Sequence, residues 1–206
     1  MVFQPGSDFP TWTIGNNTYK SFSSKAVSNA IRVHRPLQSW APLVWHKASV
    51  HKHATTTWLF TLNRNPTLDR VSSWDPDALV SCLLCGSHIE SRDHLFFQCN
   101  FSFAIWRSIM VRLDIQNYPR TWLDILHWLS TAHQDNWKRL SALRAWQASI
   151  YEIWRERNRR MHDGLTYPPA MVFRVIIFGL RDKCSSMTVQ GNPRGLLLGQ
   201  FWYDPP

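Results

Sequence analysis

The sequence predicts a mainly α fold, a small helical domain stapled at its middle and preceded by a short N-terminal β-hairpin. Three observations predict it. Apolar residues return at steps of three or four along residues 137–162, Ser or Thr stands ahead of several other apolar-periodic segments, and one pair of β-prone runs flanks a Gly-Asn turn. Hydrophobic residues are 44% of the 206 and charged residues 18%, a balance that builds a core and excludes the charge-rich, apolar-poor composition of disorder. Twelve Trp and eleven Phe are spread from Trp12 to Trp202, so each segment brings its own anchor to that core.

Thr11-Trp12-Thr13-Ile14 and Thr18-Tyr19-Lys20-Ser21-Phe22 read as strands around Gly15-Asn16-Asn17, because Gly and Asn tolerate positive φ. Ser23 or Ser24 then caps a helix with Ala26, Val27, Ala30 and Ile31 on one buried face, ending before Pro36. A helix is expected from Trp40 to Val50 and another over residues 55–63 around Trp58, Leu59 and Leu62. Asn63-Arg64-Asn65-Pro66 is a turn, and Leu68, Val71 and Trp74 suggest a short helix before Asp75-Pro76. Ser102 is the expected cap of a helix carrying Phe103, Trp106, Ile109, Met110 and Leu113. Thr121 is that of a helix carrying Trp122, Ile125, Leu126, Trp128 and Leu129.

The longest periodic segment, 137–162, carries Leu140, Leu143, Trp146, Ile150, Ile153, Trp154 and Met161. Pro168-Pro169 breaks the chain, residues 171–183 form a last helix, and Gly191, Pro193 and Gly195 mark a loosely ordered end. The expected domains are therefore a hairpin and helix (1–36), a cysteine-containing domain (37–116), a basic helical segment (117–185) and a tail (186–206).

Three of the four cysteines fall between positions 82 and 99, in the order Cys82, Cys85, His94, Cys99, which spells C-x2-C-x8-H-x4-C. Gly86 permits the tight turn that lets both loop sulfurs face one point. A borderline-soft cation such as Zn2+ prefers thiolate and imidazole, and four such ligands close a tetrahedron without a position for water or substrate. One structural zinc ion held by Cys82, Cys85, His94 and Cys99 is therefore expected. A thioredoxin-like redox pair leaves the His-x4-Cys pair without a role, and buried free cysteines do not account for the clustering. His88 is a rival ligand, but it follows Cys85 so closely that binding it with both loop thiols strains the segment. Asp93, Glu90 or a backbone carbonyl is expected to accept the proton on the second nitrogen of His94. Cys184 is left as a core residue.

These residues resemble the zinc-binding domain found after the reverse transcriptase in plant non-LTR, LINE-type retroelements. The resemblance runs through Trp45, Trp58, Asn63-Arg64-Asn65-Pro66-Thr67-Leu68-Asp69-Arg70, Cys82-Leu83-Leu84-Cys85, Glu90, His94-Leu95-Phe96-Phe97-Gln98-Cys99 and Ile105-Trp106. Phe22-Ser23-Ser24-Lys25 and Trp154-Arg155-Glu156-Arg157-Asn158 resemble its Phe-Ser-Val-Lys and Trp-x-x-Arg-Asn pieces. Thr55-Thr56-Thr57 departs from the family's bulky apolar residues, and Pro66 interrupts its Asn-Arg-Leu-Pro-Thr phrasing. In such elements the domain accompanies a polymerase and an endonuclease. The polymerase-type Asp-Asp pair is missing here, so the resemblance implies a detached piece with no catalytic centre of its own.

A formal net charge of +9 makes an anionic partner the expectation. Lys138, Arg139, Arg144, Arg155, Arg157, Arg159 and Arg160 stand against only Glu152 and Glu156 in the long helix, and they are the expected phosphate contacts for RNA or DNA. The competing reading is a solvated face, with Glu152 paired to Arg155 and Glu156 to Arg159 or Arg160. A reverse transcriptase is the expected protein partner. The alternative is a zinc-stabilised protein-interaction domain, or a retroelement remnant that binds no nucleic acid. No Ser, Cys or carboxylate arrangement suggests an enzyme, and a RING-type ligase needs a second ligand set. Gln4-Pro5-Gly6-Ser7-Asp8 lacks the apolar block of a signal peptide, and the apolar run 170–180 is interrupted by Arg174 and falls short of the ~20 residues a bilayer needs. An intracellular location without membrane partner is expected, the nucleus before the cytoplasm.

Overall fold

The computed structural model describes residues 11–33, 36–131 and 135–203, so the segment from Gln4 to Asp8 lies outside the described residues. The architecture is mainly α with one antiparallel hairpin, and the chain divides into residues 1–38 and 39–206. Among the described residues, no helix is long and apolar enough to cross a membrane.

In the first unit β1 (Trp12–Ile14) pairs with β2 (Asn17–Tyr19) in the register Trp12 to Tyr19. Gly15, first of the two loop residues, takes φ 57°, which a hairpin turn this tight requires and a side chain would oppose. Trp12 packs edge-on against Phe22 at 4.8 Å. Ser23 caps α1 (Ser24–Ile31) by accepting from the Ala26 amide at 3.2 Å. The apolar face expected of α1 is not buried: no residue of the helix is, and Ile31 is 79% exposed.

The second unit is built around one helix. Pro42 starts the short α2 (Ala41–Val44), α3 spans His51–Thr61 and α4 spans Leu68–Val71, so the helix expected from Trp40 to Val50 closes after four residues. Then come α5 (Asn100–Arg112), α6 (Trp122–Thr131), α7 (Asn136–His162), α8 (Pro169–Val189) and α9 (Arg194–Tyr203). Thr121 does cap α6, its hydroxyl accepting from the Asp124 amide at 3.4 Å. Ser102 does not cap α5. That helix begins at Asn100, and Ser102 is buried in its first turn with its hydroxyl donated to the Leu95 carbonyl.

α7 packs against α3, α5, α6, α8 and α9. Every residue from Ser141 to Ile150 is buried, so this stretch is enclosed on all sides, and Ser141, Ala142, Ala145, Ala148 and Ser149 keep the helix thin enough for neighbours to close on it. Trp106, Trp122, Trp146 and Trp202 are among the largest side chains wholly withdrawn from solvent. Gln147 donates from Nε2 to the Val44 carbonyl at 2.7 Å and so ties α2 to α7. Cys184 is buried, as expected, with Arg144 Nη1 3.2 Å from its sulfur.

The predicted loose tail is corrected over its described part. Residues 194–203 form α9, packed on α8 with Trp202 fully buried. The glycine that suggested disorder allows the contact: a Cβ on Gly195 would stand 2.3 Å from Thr188 Oγ1 and 2.6 Å from the Cys184 carbonyl oxygen.

Candidate metal centre

Two backbone devices bring the four predicted ligands together. In the first, an antiparallel bridge between Ser81 and Ile89 closes a loop in which the Cys82 amide donates to the His88 carbonyl at 2.7 Å. The Gly86 amide donates back to the Cys82 carbonyl at 2.7 Å, and Gly86 itself takes φ 69°, the left-handed conformation that lets the chain turn beneath both sulfurs. In the second, His94–Gln98 forms a π-helical turn in which the Cys99 amide donates to the His94 carbonyl at 2.7 Å. Five α-helical steps would carry Cys99 about 140° around the axis from His94. The wider turn removes most of that rotation, so a His-x4-Cys spacing can serve one ion.

His94 Nε2 lies 3.3 Å from Cys85 Sγ, and Cys82 Sγ lies 4.0 Å from Cys99 Sγ. All four ligand atoms fall within 4.8 Å of one another. Zinc–sulfur bonds of ~2.3 Å in a tetrahedron place sulfurs about 3.8 Å apart, so the donor set fits one zinc ion in both chemistry and spacing. His88 stays outside the cluster: it is exposed, and its ring stacks on that of His94 at 5.0 Å.

Burial, with His88 adding to it, holds His94 below the ordinary histidine value, which keeps the imidazole neutral as a ligand must be. The hydrogen bond to Cys99, with burial, pushes the Cys82 thiol up, while the same bond pulls Cys99 down. One sulfur of the pair is thereby disposed to be thiolate first.

The cysteine loop is fastened to α7 by arginines. Glu90, fully buried, accepts from the Leu83 amide between the two loop cysteines at 3.4 Å and from the Leu68 amide at 3.2 Å. Its carboxylate meets Arg157 of α7, with Nε at 3.0 Å and Nη2 at 2.9 Å. Arg160, one helical turn from Arg157, donates from Nη1 to the Leu83 and Leu84 carbonyls at 3.1 and 2.9 Å. Glu156 in turn holds Arg160 at 2.9 Å, pairs with Arg159 and accepts from the Tyr167 amide at 2.8 Å. Glu90 and Asp93 were the carboxylates expected to accept from His94. Glu90 instead serves Arg157, and Asp93 accepts from the Trp122 amide at 2.8 Å.

This clasp corrects the phosphate-contacting set expected on α7. Arg144 and Arg157 are each 3% exposed and leave a surface ligand nothing to hold. Arg159 and Arg160 are committed to Glu156 and the cysteine loop, Arg139 donates to the Leu129 carbonyl at 3.0 Å, and Lys138 donates to the Asp114 carbonyl at 2.7 Å. Of the seven, Arg155 is the most exposed, its side chain 56% open to solvent and paired to Glu152 at 3.3 Å, whereas the Lys138 side chain is 26% exposed. Spacing alone put these charges on one helix. It carried no signal that Glu90, 67 residues before Arg157, would claim one of them.

No curated protein and no solved structure matches the chain. Residues 22–106 match the family described as zinc-binding in reverse transcriptase, and that span holds all four ligands together with Glu90.

Proposed function

We propose that the chain is a non-catalytic module that binds nucleic acid as part of a LINE-type reverse transcriptase of the plant kind, working in the nucleus, with one structural zinc ion setting its shape. The observation that carries the reading is the closed ligand set of Cys82, Cys85, His94 and Cys99, clasped to α7 through Glu90 and Arg157. Three thiolates and an imidazole fill a tetrahedron, so the ion holds chain segments together and offers no coordination position to a substrate. The buried acids Glu90 and Glu156 are both engaged by arginines, which leaves them unsuited to acid–base work. The net charge of +9 supports an anionic partner, and the match over residues 22–106 supports the polymerase context. Fluorescence anisotropy of the zinc-loaded chain with a single-stranded and a hairpin RNA, at roughly 50 and 200 mM salt, tests it. Binding that weakens steeply with salt is expected. No binding to either RNA at the lower salt rejects the reading.

A second reading rests on α8, where Met171, Val175 and Phe178 are 43%, 36% and 73% exposed at steps of four and three. Such a stripe favours a protein partner, for which a polymerase is the natural candidate. Capture of that polymerase that persists after nuclease digestion would favour this reading, and loss of capture would favour the first.

A further inference from the structure

With the arginines of α7 other than Arg155 committed internally, the excess positive charge must act largely elsewhere, and the sequence shows where it is least opposed. Between Asp8 and Asp69 there are seven Lys or Arg and no Asp or Glu. The part of this stretch in the second unit includes α2, α3 and their connection, where Lys47 and Lys52 are both exposed. α3 buries Ala54, Thr57 and Phe60 and turns His51, Lys52 and Thr55 to solvent. Across its edge Lys52 Nζ sits 4.8 Å over the ring of Tyr151, and Arg155, one turn on from Tyr151 along α7, is the exposed arginine of that helix.

The aromatic side chains of this surface are also unlike those of the core. Trp106, Trp122, Trp146 and Trp202 are wholly buried, whereas Trp45 is 47% exposed, two residues from Lys47 and 6.1 Å from the half-buried ring of Trp58. A large ring left half bare beside unopposed cations suits base stacking with phosphates held alongside, and that chemistry is tolerant of sequence. An acidic protein would use the same cations but would have no call on a flat exposed ring.

We infer that the outer face of α3, with Trp45 as its stacking platform and Lys47, Lys52 and Arg155 as its phosphate contacts, is the surface on which this chain takes single-stranded nucleic acid. The inference rests on the nucleic-acid reading above and gives it a location.

The test uses the full zinc-loaded chain and fluorescein-labelled 20-nucleotide single strands of mixed sequence, one RNA and one DNA, read by anisotropy across a salt series. Each charge lost from the contact removes ~0.7 from the slope of log affinity against log salt, so Lys47→Ala with Lys52→Ala should lower it by about 1.4. Trp45→Ala should weaken binding by about fivefold or more and Trp45→Phe, which keeps a ring, much less. Arg107→Ala with Arg174→Ala, exposed positions on α5 and α8, should leave binding near wild type. Unchanged zinc content and circular dichroism establish that each variant is folded, and the lysine pair, fully on the surface, keeps the test open should Trp45→Ala not fold. If the α3 variants bind like wild type while the α5/α8 pair loses affinity, the location is wrong and the nucleic-acid reading stands. If wild type binds neither strand, that reading itself fails. Competition by polyglutamate as effective as by RNA of equal charge would show an acidic-protein surface and overturn the inference.

Discussion

Glu90 and Arg157 show at the scale of one residue pair how much of the metal centre is held from outside its ligand set. A carboxylate with no exposure, accepting from two amides and a guanidinium, relies on those donors in place of the water it has lost. Arg157→Ala should therefore cost about 3–5 kcal/mol in urea unfolding of the zinc-loaded protein, because it strands a buried charge. Replacing both partners with apolar residues of similar size should cost clearly less than the sum of the single changes. Two histidines give a second expectation. Burial first, then Arg144, lowers His46 to about 4, and burial first, then Lys52, lowers His53 to about 4. Their folded values lie below the ordinary 6.5, so the unfolded chain binds more protons between the two. Stability is then full above pH 6.5 and is lost as pH falls toward 4, by up to ~1.4 kcal/mol per pH unit for each histidine. Unfolding measured across that window should show the slope, and His46→Leu with His53→Leu should flatten it. Zinc content assayed at each pH separates this from protonation of the ligands.

At the scale of elements, what could be read from the sequence depended on whether a helix is defined by its own residues or by its neighbours. α7 was legible because its apolar residues recur at helical steps, and α1 and α6 because Ser23 and Thr121 cap them locally. The metal ligands were legible for the same reason, since C-x2-C and His-x4-Cys are local patterns. Ser102 misled because its hydroxyl serves the Leu95 carbonyl of the π-helical turn, a contact made by a chain reversal that spacing does not encode. The basic residues of α7 misled because their partners, Glu90 and the Leu83 and Leu84 carbonyls, come from far along the chain. α9 was missed because its glycines suit both a loose tail and a close helix contact. Only the tertiary structure chooses between those uses, and the choice can be tested. A Cβ at Gly195 meets two backbone atoms of α8, the Cys184 oxygen and the Thr188 nitrogen, each at 2.6 Å, and neither can move aside alone. Gly195→Ala should lift α9, cost about 1–3 kcal/mol and shift tryptophan emission to the red as Trp202 gains solvent. Gly199→Ala meets the ring of Tyr203, a side chain that moves aside only by giving up its hydroxyl's hydrogen bonds to the Arg181 carbonyl and Ser185. Alanine's helical preference of ~1 kcal/mol should there offset part of the cost, leaving a smaller drop in melting temperature than Gly195→Ala.

For the molecule as a whole, the question is whether the zinc ion supports a local loop or the whole second unit. Structural zinc sites supply about 10–16 kcal/mol, against ~5–15 kcal/mol for the net stability of an entire domain, so losing the ion can exceed what packing holds in reserve. The site is also not peripheral to that packing. Cys82, Leu84, Leu95, Phe96, Phe97 and Cys99 belong to the same buried cluster as Trp122, Trp146 and Ile153, and Phe96 and Phe97 each lie 5.9 Å from the ring of Trp122. Opening the ligand set would expose those rings and release Arg157 and Arg160 from the loop, leaving Glu156 with the charges of α7 and Glu90 with none. Chelation, or either Cys82→Ser or His94→Ala, should therefore remove zinc, as measured by native mass spectrometry. It should also abolish the cooperative thermal transition of the second unit rather than shift it by a few degrees. His88→Ala supplies the contrast: its ring lies against His94 but outside the tetrad, so it should keep one zinc ion per chain and the same transition. A chelated protein that still melts cooperatively would mean that α7 and its neighbours are stable alone and that the ion shapes only the loop from Ser81 to Cys99.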